Sequence, residues 1–195
     1  MKRAFDALFS AVTMLLLSPL LLLIAAVVVA ESRGGALYHQ ERVGRHGSTF
    51  NLHKFRSMRA HDSGAQLTLG TNDPRITTVG RVLRKYKLDE LPQLWNVLMG
   101  EMSLVGPRPE VAKYVALYTE EMREVLQVRP GLTDPASITG FDEGERLEAA
   151  EDPERYYRDV IMPEKVQQQL AYVRSATFGS DIRIIARTFF RIFKR

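Results

Sequence analysis

The sequence predicts an α/β fold that is mainly helical, with a small β-hairpin and with helices that contact a membrane. Three observations predict it. Residues 11–30 contain no charged side chain and match the ~20 residues that cross a bilayer. Residues 36–43 and 49–58 have the apolar alternation of two strands around a glycine-rich turn. Apolar residues then recur at helical spacing through much of the chain from residue 77 onward.

Composition limits the chemistry. The chain has 195 residues and 45% hydrophobic content, enough for one domain and its core. It has no cysteine, which excludes disulfides, a zinc-thiolate site and thiol catalysis. The net charge of +4 suits anionic lipid, nucleic acid or phosphorylated substrates.

The apolar segment allows three interpretations. A basic start at Lys2 and Arg3, with small residues near position 30, is typical of a cleaved signal peptide. Its length suits a single spanning helix. In the third interpretation, the helix enters the membrane, bends and returns to the same side.

Basic flanks and a central proline favour a helix that returns. Lys2 and Arg3 precede the segment and arginines follow it, so the positive-inside rule keeps both flanks cytoplasmic. Pro19 bends a helix because it lacks a backbone donor and clashes with the carbonyl of Leu15. The Ser18 hydroxyl is able to satisfy that carbonyl. Kinked spanning helices also contain proline, so re-entrant and spanning helices both remain open.

The second predicted strand carries two bases. Lys54 and Arg56 share one face by alternation, and Phe55 lies on the other. The two bases are therefore candidates for lining a site. The alternative is a pair of solvated bases on an outer face.

A helix is predicted from Thr77 or Thr78 to Tyr86, with Arg84 among the bases near its end, where cations suit the helix dipole. A second helix is predicted to begin at Asp89 and to end at Gly100. Asp89 has the composition of a helix cap, which is its simplest structural explanation.

Arg108 lies between Pro107 and Pro109, after a predicted buried strand at residues 102–105. Because proline rings restrict the backbone, an arginine held between them loses less freedom when it binds an oxyanion. A rigid phosphate clamp is therefore predicted, although the prolines are equally able to shape a turn around a solvated arginine.

Three more helices and an irregular segment are predicted in the rest of the chain. Residues 110–128 have a helical pattern, and residues 133–151 read as irregular and acidic. Pro163 opens a predicted helix that continues to about Ser175. After Gly179, a final helix with one apolar and one basic face is typical of an interfacial membrane helix, although a terminal helix packed on a soluble protein has the same pattern.

Gathered together, these side chains suit phosphate chemistry. Carboxylates repel phosphoryl oxygens, so an aspartate nucleophile needs cations such as Lys54, Arg84 and Arg108 around it. Mg²⁺ beside a carboxylate is the usual supplement. A helix amino terminus would keep Asp89 ionised.

Four sequence segments, taken in order, resemble the bacterial sugar transferases called monotopic phosphoglycosyl transferases. They are KFRSM at 54–58, LDELPQ at 88–93, NVL at 96–98 and GEMSLVGPRP at 100–109. The resemblance covers nearly the whole chain, including the Ser18-Pro19 pair. It departs after Thr133, where many relatives have Gly-Trp and this chain has Asp134-Pro135, so sugar specificity is not transferred.

The resemblance implies a re-entrant membrane helix at residues 1–30, broken at Ser18-Pro19, and a catalytic domain at residues 31–195 with interfacial helices. It places the protein on the cytosolic face of the bacterial inner membrane. The membrane lipid, rather than nucleic acid, is then the expected macromolecular surface. Downstream glycosyltransferases would extend the product.

The resemblance also implies a two-step reaction. The aspartate at position 89 attacks the β-phosphorus of a nucleotide-diphosphate sugar, with UDP as the expected nucleotide, and polyprenol phosphate then takes the phosphosugar. The implied metal is Mg²⁺, held by Glu90 with Asp89 beside it. Arg84, Arg108 and Lys54 are implied to bind phosphate, and Arg56 is added as a candidate from the strand pattern.

Two other functions fit a carboxylate pair with nearby bases. One is a magnesium-dependent phosphohydrolase in which Asp89 and Glu90 activate water. The other is a non-enzymatic membrane scaffold whose basic helices bind anionic lipid.

Overall fold

The computed structural model describes residues 1–59, 73–134 and 143–192. Its helices are α1 (Lys2–Glu31), α2 (Thr78–Lys85), α3 (Gln93–Met99), α4 (Ala112–Val115), α5 (Glu143–Glu148), α6 (Pro153–Tyr156), α7 (Met162–Ser175) and α8 (Phe178–Ile192). Its strands are β1 (Leu37–Val43), β2 (Thr49–Phe55), β3 (Ser103–Val105) and β4 (Gly131–Thr133). Tighter 3₁₀ turns occur at Arg45–Gly47, Leu88–Glu90 and Met122–Gln127, and a π-helical turn occurs at Tyr157–Ile161. The prediction of a mainly helical chain with a small hairpin is confirmed.

The long helix α1 packs along the rest of the chain on one side and is exposed on the other. Ile24 and Val28 are buried in a cluster with Phe55 and Leu83. By contrast, Leu15 is 75% exposed, and only 11% of the most apolar stretch of α1 is buried. Within the described residues, α1 is the helix long and apolar enough to cross a membrane. An apolar surface of this extent is suited to lipid.

The chain continues as one helix through Ser18 and Pro19. The Ser18 hydroxyl donates to the Leu15 carbonyl at 2.8 Å, the group that would otherwise accept from the missing N–H of Pro19. The predicted role of Ser18 is therefore confirmed. The predicted break in the helix remains a prediction, because α1 is one element here.

Contacts at both ends of α1 join it to the folded domain. Lys2 pairs with the buried carboxylate of Asp181 and donates to the Val105 carbonyl at 3.0 Å. Arg3 donates to carbonyls in the last turn of α3, where the helix dipole favours a cation. At the other end, the Arg56 guanidinium donates to carbonyls at the carboxyl end of α1.

Two small sheets support the centre of the molecule. β1 and β2 form the predicted antiparallel hairpin, from Leu37 opposite Phe55 to Val43 opposite Thr49. β3 and β4 are parallel, with Ser103 opposite Gly131. The predicted strand at 102–105 is confirmed, whereas β4 was not predicted.

Helix α2 begins as predicted, because the Thr77 side chain accepts from the Gly80 amide at 2.9 Å. The next helix begins later than predicted. Residues Leu88–Glu90 form a 3₁₀ turn, and α3 starts at Gln93 after Pro92. The reason is local: Leu91 donates to the Leu88 carbonyl at 3.3 Å, which closes a tighter turn before the α-helical bonds begin.

Three further predictions need correction. Residues 110–128 form the short helix α4 and a separate 3₁₀ turn rather than one helix. Within the segment predicted to be irregular, residues 143–148 form α5, while residues 135–142 lie outside the described part. The final helix starts at Phe178, before the predicted cap at residue 180 or 181, because Thr177 and Ser180 exchange side-chain and amide hydrogen bonds.

Candidate active site

The turn between α2 and α3 brings two adjacent carboxylates into the protein interior. Asp89 and Glu90 lie in the 3₁₀ turn and are only 6% and 8% exposed. Lys87 precedes them in the left-handed conformation, with φ 57° and ψ 20°. A non-glycine residue in this conformation is strained, and the conformation changes the direction of the chain between α2 and the carboxylates. Leu88 packs against the cluster that joins α1 to α2, which places the pair beside the long apolar helix α1.

Glu90 is held by two cations. Arg108 Nη2 donates to Glu90 Oε1 at 2.6 Å, and Arg108 Nη1 lies 3.4 Å from Oε2. Lys54 Nζ lies 3.4 Å from Oε1. Burial opposes the charged form, but Arg108 and Lys54 hold the pKa of Glu90 well below its usual range. Glu90 is therefore a fixed anion at the centre of the site.

Asp89 has a different environment. Among the described residues, the buried Oδ1 atom of Asp89 has no hydrogen-bond partner. Burial and the charge of Glu90 raise the pKa of Asp89, while Lys54, Lys87 and Arg84 lower it to a smaller extent. The expectation that a helix amino terminus keeps Asp89 ionised is wrong, because α3 begins four residues later and Asp89 caps no helix. A buried oxygen without a partner is costly and is therefore a candidate for contact with a ligand.

Lys54 reaches the pair from the end of β2. Burial lowers the pKa of Lys54 to about 8, although Glu90 opposes this shift. The Lys54 side chain is therefore close to changing its charge near neutral pH. A lysine in this condition responds strongly to an added anion.

Arg108 is carried by a segment that hydrogen bonds hold on both sides. Before it, Gly106 N donates to the Thr133 carbonyl at 3.1 Å, and the Pro107 carbonyl accepts from Gly131 N at 2.8 Å. A Cβ atom on Gly131 would lie 2.1 Å from Gly106 N, so this approach requires glycine. The predicted alternative of a solvated arginine is wrong, since the Arg108 guanidinium binds Glu90.

Arg84 lies on the last turn of α2 and faces the same region. Its Nε donates to Ser57 Oγ at 3.0 Å, and its Nη2 lies 3.4 Å from Met58 Sδ. The charge of Arg84 lowers the pKa of Asp89, although burial and Glu90 outweigh it. The structure thus places Lys54 and Arg108 in contact with Glu90, whereas Arg84 contacts Ser57 and Met58 and acts on Asp89 through its charge.

Arg56 is the exception among the predicted cations. Its Nη2 donates to the Ser32 carbonyl at 2.6 Å, and its Nη1 donates to the Arg33 carbonyl at 2.8 Å. These carbonyls lie just past the last residue of α1, next to the turn whose backbone acceptors have no partner within the helix. The structure therefore does not bring Arg56 to the carboxylate pair with Lys54, because the Arg56 side chain is engaged at the end of α1. Arg56 is therefore placed as a cap for the carboxyl end of α1.

A buried polar cluster next to Arg108 was not predicted. We call Arg42, Glu110, Tyr157 and Lys165 the anchor cluster. Glu110 accepts from the Tyr157 hydroxyl, and it pairs with Arg42 at 3.1 Å and with Lys165 at 3.4 Å. One sequence signal points to it: Lys165 and Gln169 interrupt the inward face of α7, where Val166 and Leu170 are also buried. A polar residue on an apolar helix face indicates a buried partner.

The two carboxylates are better suited to a metal site that substrate phosphates complete than to one made of protein ligands alone. No group of three or more His, Asp or Glu side chains in the described residues could hold a metal ion. Mg²⁺ is usually bound by one or two carboxylates, with substrate phosphates completing its coordination. The free Oδ1 of Asp89 and the adjacent Glu90 fit this requirement.

Comparison with known proteins places the whole chain in context. The family model described as "Bacterial sugar transferase" matches residues 1–195. The chain is 36% identical to the "Undecaprenyl-phosphate galactose phosphotransferase" of Salmonella typhimurium, covering 96% of this chain and 39% of that protein. It is 37% identical to the "UDP-glucose:undecaprenyl-phosphate glucose-1-phosphate transferase" of Caulobacter vibrioides, covering 96% of this chain and 67% of that protein.

A third relative, the "Exopolysaccharide production protein ExoY" of Rhizobium meliloti, is 36% identical, with 96% of this chain and 83% of that protein covered. The relatives therefore differ greatly in length. The chain spans less than half of several of them, including the Salmonella protein and the Xanthomonas campestris glucose-1-phosphate transferase.

Proposed function

Because this chain belongs to the bacterial sugar transferase family, we propose that it transfers a sugar phosphate from a UDP-sugar to polyprenol phosphate. Two relatives named above are phosphotransferases that use undecaprenyl phosphate. The observation that carries the proposal is the environment of Asp89: its buried Oδ1 has no partner within the described chain, and cations hold the adjacent Glu90. This arrangement leaves one carboxylate oxygen available for a phosphorus atom.

In the first half-reaction, a carboxylate oxygen of Asp89 attacks the β-phosphorus of the donor. A new oxygen–phosphorus bond forms, and the bond from that phosphorus to the bridging oxygen breaks. The nucleoside monophosphate leaves with the bonding electron pair. The sugar phosphate remains on Asp89 as an acyl phosphate.

In the second half-reaction, a phosphate oxygen of polyprenol phosphate attacks the same phosphorus. The bond to Asp89 breaks, and its carboxylate is restored. The product is a polyprenol-diphosphate sugar, the first membrane-bound intermediate of a surface glycan. Asp89 needs no net proton transfer in either step, provided that it begins as the anion.

The neighbouring cations make the anionic encounter favourable. Arg108 is planar and carries several donors, so it is able to bridge Glu90 and a phosphate oxygen together. Lys54 lies on the same side of Glu90, and Arg84 is close enough to act on Asp89. Charge that develops on the transferring phosphoryl group is thereby met by groups already in place.

In this proposal Glu90 would hold Mg²⁺, together with phosphate oxygens of the donor. When bound, Mg²⁺ would neutralise the diphosphate and polarise its oxygens. Glu90 is suited to this role because it stays ionised. Chelation of Mg²⁺ is expected to stop the first half-reaction, and Glu90→Gln is expected to raise the Mg²⁺ concentration that gives half of the maximal rate.

We place the protein on the cytosolic face of the bacterial inner membrane, with residues 1–30 as a re-entrant helix and residues 31–195 as the catalytic domain. The contacts of α1 support this placement. A 30-residue helix is about 45 Å long, yet its two ends both contact the same domain, through Lys2 and through Arg56. A helix whose ends lay on opposite sides of a bilayer could not make both contacts.

The topology is directly testable because the chain has no native cysteine. Single cysteines at Ala4 and Gly35, near the two ends of α1, would be labelled in intact cells with a thiol reagent that does not enter the cytoplasm. Protection of both positions until the cells are opened is the expected result. Labelling of Ala4→Cys in intact cells would instead indicate a spanning helix.

The reaction is tested by intact-mass spectrometry. The purified chain is incubated with Mg²⁺ and a panel of UDP-glucose, UDP-galactose and UDP-N-acetylglucosamine, without polyprenol phosphate. At least one donor should add the mass of one sugar phosphate, at Asp89, with release of UMP. Addition of polyprenol phosphate should then remove the adduct.

Asp89→Asn is the matched control and should form no adduct. UMP release without any adduct would favour a phosphohydrolase. If neither UMP nor an adduct appears with any donor, and Asp89→Asn also leaves glycolipid synthesis in cells unchanged, a scaffold role would be favoured.

A further inference from the structure

The anchor cluster adjoins the segment that carries Arg108. Glu110 is its centre: Oε1 accepts from Arg42 Nη1 at 3.1 Å, and Oε2 accepts from Lys165 Nζ at 3.4 Å and from the Tyr157 hydroxyl. Lys165 also pairs with Glu143 at 3.1 Å. Glu110 and Lys165 are both buried, so this charge network is built inside the protein.

Stability alone is a weak explanation for such a network. Removing two charges from water is expensive, and replacing a buried ion pair with apolar residues is often neutral or stabilising. The position of the network, next to the Arg108 segment, indicates a role in fixing the backbone. A buried ion pair is well suited to fixing one backbone arrangement, since any other arrangement leaves a charge unpaired.

The network fixes the backbone directly after Arg108. The same Nη1 atom of Arg42 that binds Glu110 also donates to the Pro109 carbonyl at 3.1 Å. The amide of Val43 donates to the Glu110 carbonyl at 2.8 Å. Together with the bonds from β4 described above, these contacts hold the chain immediately before and after Arg108.

The geometry points to Glu110 as a positioning residue for Arg108 in donor binding. Glu110 does not touch the carboxylate pair in this structure. It keeps Arg42 in contact with the Pro109 carbonyl, and it attaches the Arg108 segment to α7 through Lys165. This inference rests on the proposed function, because it takes Arg108 as a ligand of the donor phosphates.

The consequence for binding is geometric. Arg108 must hold Glu90 and a phosphate oxygen at hydrogen-bond distance together, and displacement by about 1 Å is enough to take one of these contacts beyond that distance. Loss of the Glu110 charge releases Arg42 and Lys165 from their shared partner. Arg108 would then keep its charge, but the backbone that positions its side chain would no longer be held in place.

A double-mutant cycle tests this link. The probe is UDP, the part shared by UDP-sugars, with Mg²⁺ present, and its dissociation constant is measured by calorimetry for the full chain in detergent. Glu110→Gln should weaken UDP binding about tenfold when Arg108 is present. In the Arg108→Ala background the same change should cost less than about twofold, because the positioned group is absent.

The matched control is Glu121→Gln, which removes another arginine-paired glutamate, but at the surface. It should leave UDP binding unchanged in both backgrounds. If Glu110→Gln does not fold, as judged by thermal unfolding, Glu110→Gln/Lys165→Gln removes both charges of the pair and takes its place in the cycle.

Equal losses in the two backgrounds would overturn the inference, since Glu110 would then act independently of Arg108. Failure of the parent chain to bind UDP would overturn both the inference and the proposed function. UDP binding with coupled losses, but without an adduct from any UDP-sugar, would support the positioning role and contradict only the covalent mechanism.

Discussion

Arg108 binds Glu90 at 2.6 Å, although Asp89 beside it is the carboxylate that has a free buried oxygen. The two adjacent carboxylates therefore differ in their partners. Glu90 is ionised and its charge is balanced by paired cations, whereas Asp89 is desolvated and has a raised pKa. This difference would allow the neighbouring carboxylates to take different roles in the proposed reaction.

Asp89→Asn is expected to abolish adduct formation and also to stabilise the protein. Burial raises the folded-state pKa of Asp89, so folding favours its protonated form. Stability is then lost as pH rises through the raised pKa, and the ionised group is a cost at pH 7. Removing this charge should increase the free energy of unfolding by about 1–2 kcal/mol.

Chemical denaturation at pH 7 measures this effect, with Asp159→Asn as the exposed control that should change neither property. A destabilised Asp89→Asn protein would show that Asp89 has a stabilising partner when folded.

Loss of the Lys54 proton is expected to lower the rate of reaction with the donor at alkaline pH. Burial lowers its pKa to about 8 in the free protein, so Lys54 loses its charge as pH rises through that value. The kcat/KM for the donor, which reports groups of the free enzyme, should therefore fall above pH 8. Lys54→Arg should move this fall to higher pH because arginine stays charged. An unchanged profile in Lys54→Arg would assign the alkaline limit to another group.

Arg56→Ala distinguishes a helix cap from a phosphate ligand. Its guanidinium holds carbonyls at the end of α1, so its loss should lower the free energy of unfolding by about 1–3 kcal/mol. Donor affinity of the remaining folded protein should stay within about twofold. The exposed Arg174→Ala should affect neither measurement. Weakened donor binding at unchanged stability would restore Arg56 to the phosphate site.

Lys87→Gly tests the strained turn before the carboxylates. Glycine relieves about 1–2 kcal/mol of left-handed strain and loses about 0.5–1 kcal/mol through its greater freedom when unfolded. A net stabilisation of about 0.5–1 kcal/mol is expected. Since the Lys87 charge lowers the pKa of Asp89, adduct formation by the variant should begin to fail at a higher pH as the solution is acidified.

Rates of adduct formation between pH 5 and 8 measure this shift, and Arg81→Ala on the exposed face of α2 is the control. A shift equal to that of Arg81→Ala would mean that Lys87 has no special influence on Asp89.

The sequence predicted the parts of the fold that local chemistry decides. Thr77 caps α2 through its own side chain, and the hairpin strands are neighbours in the chain. The Ser18 hydroxyl serves the carbonyl next to Pro19 as expected. Each of these features depends on residues within a few positions of one another, so a single sequence contains the necessary information.

Features that depend on distant residues were missed. β4 exists because Gly131–Thr133 meets β3 in space, and no pattern within three residues reveals that meeting. Arg56 was assigned by strand alternation, which gives no information on the helix end that its side chain reaches. Glu110 appeared to be an ordinary polar residue until α7 brought Lys165 to it.

Lys2 and Arg56 fasten the two ends of α1 to the domain that contains the carboxylates. Tilting of this helix in response to bilayer thickness would therefore move the whole domain with it. In the proposed membrane placement, the height of Asp89 above the lipid tails would then be set within the protein, so a long, flexible acceptor lipid would meet Asp89 at nearly the same depth in thin and thick membranes.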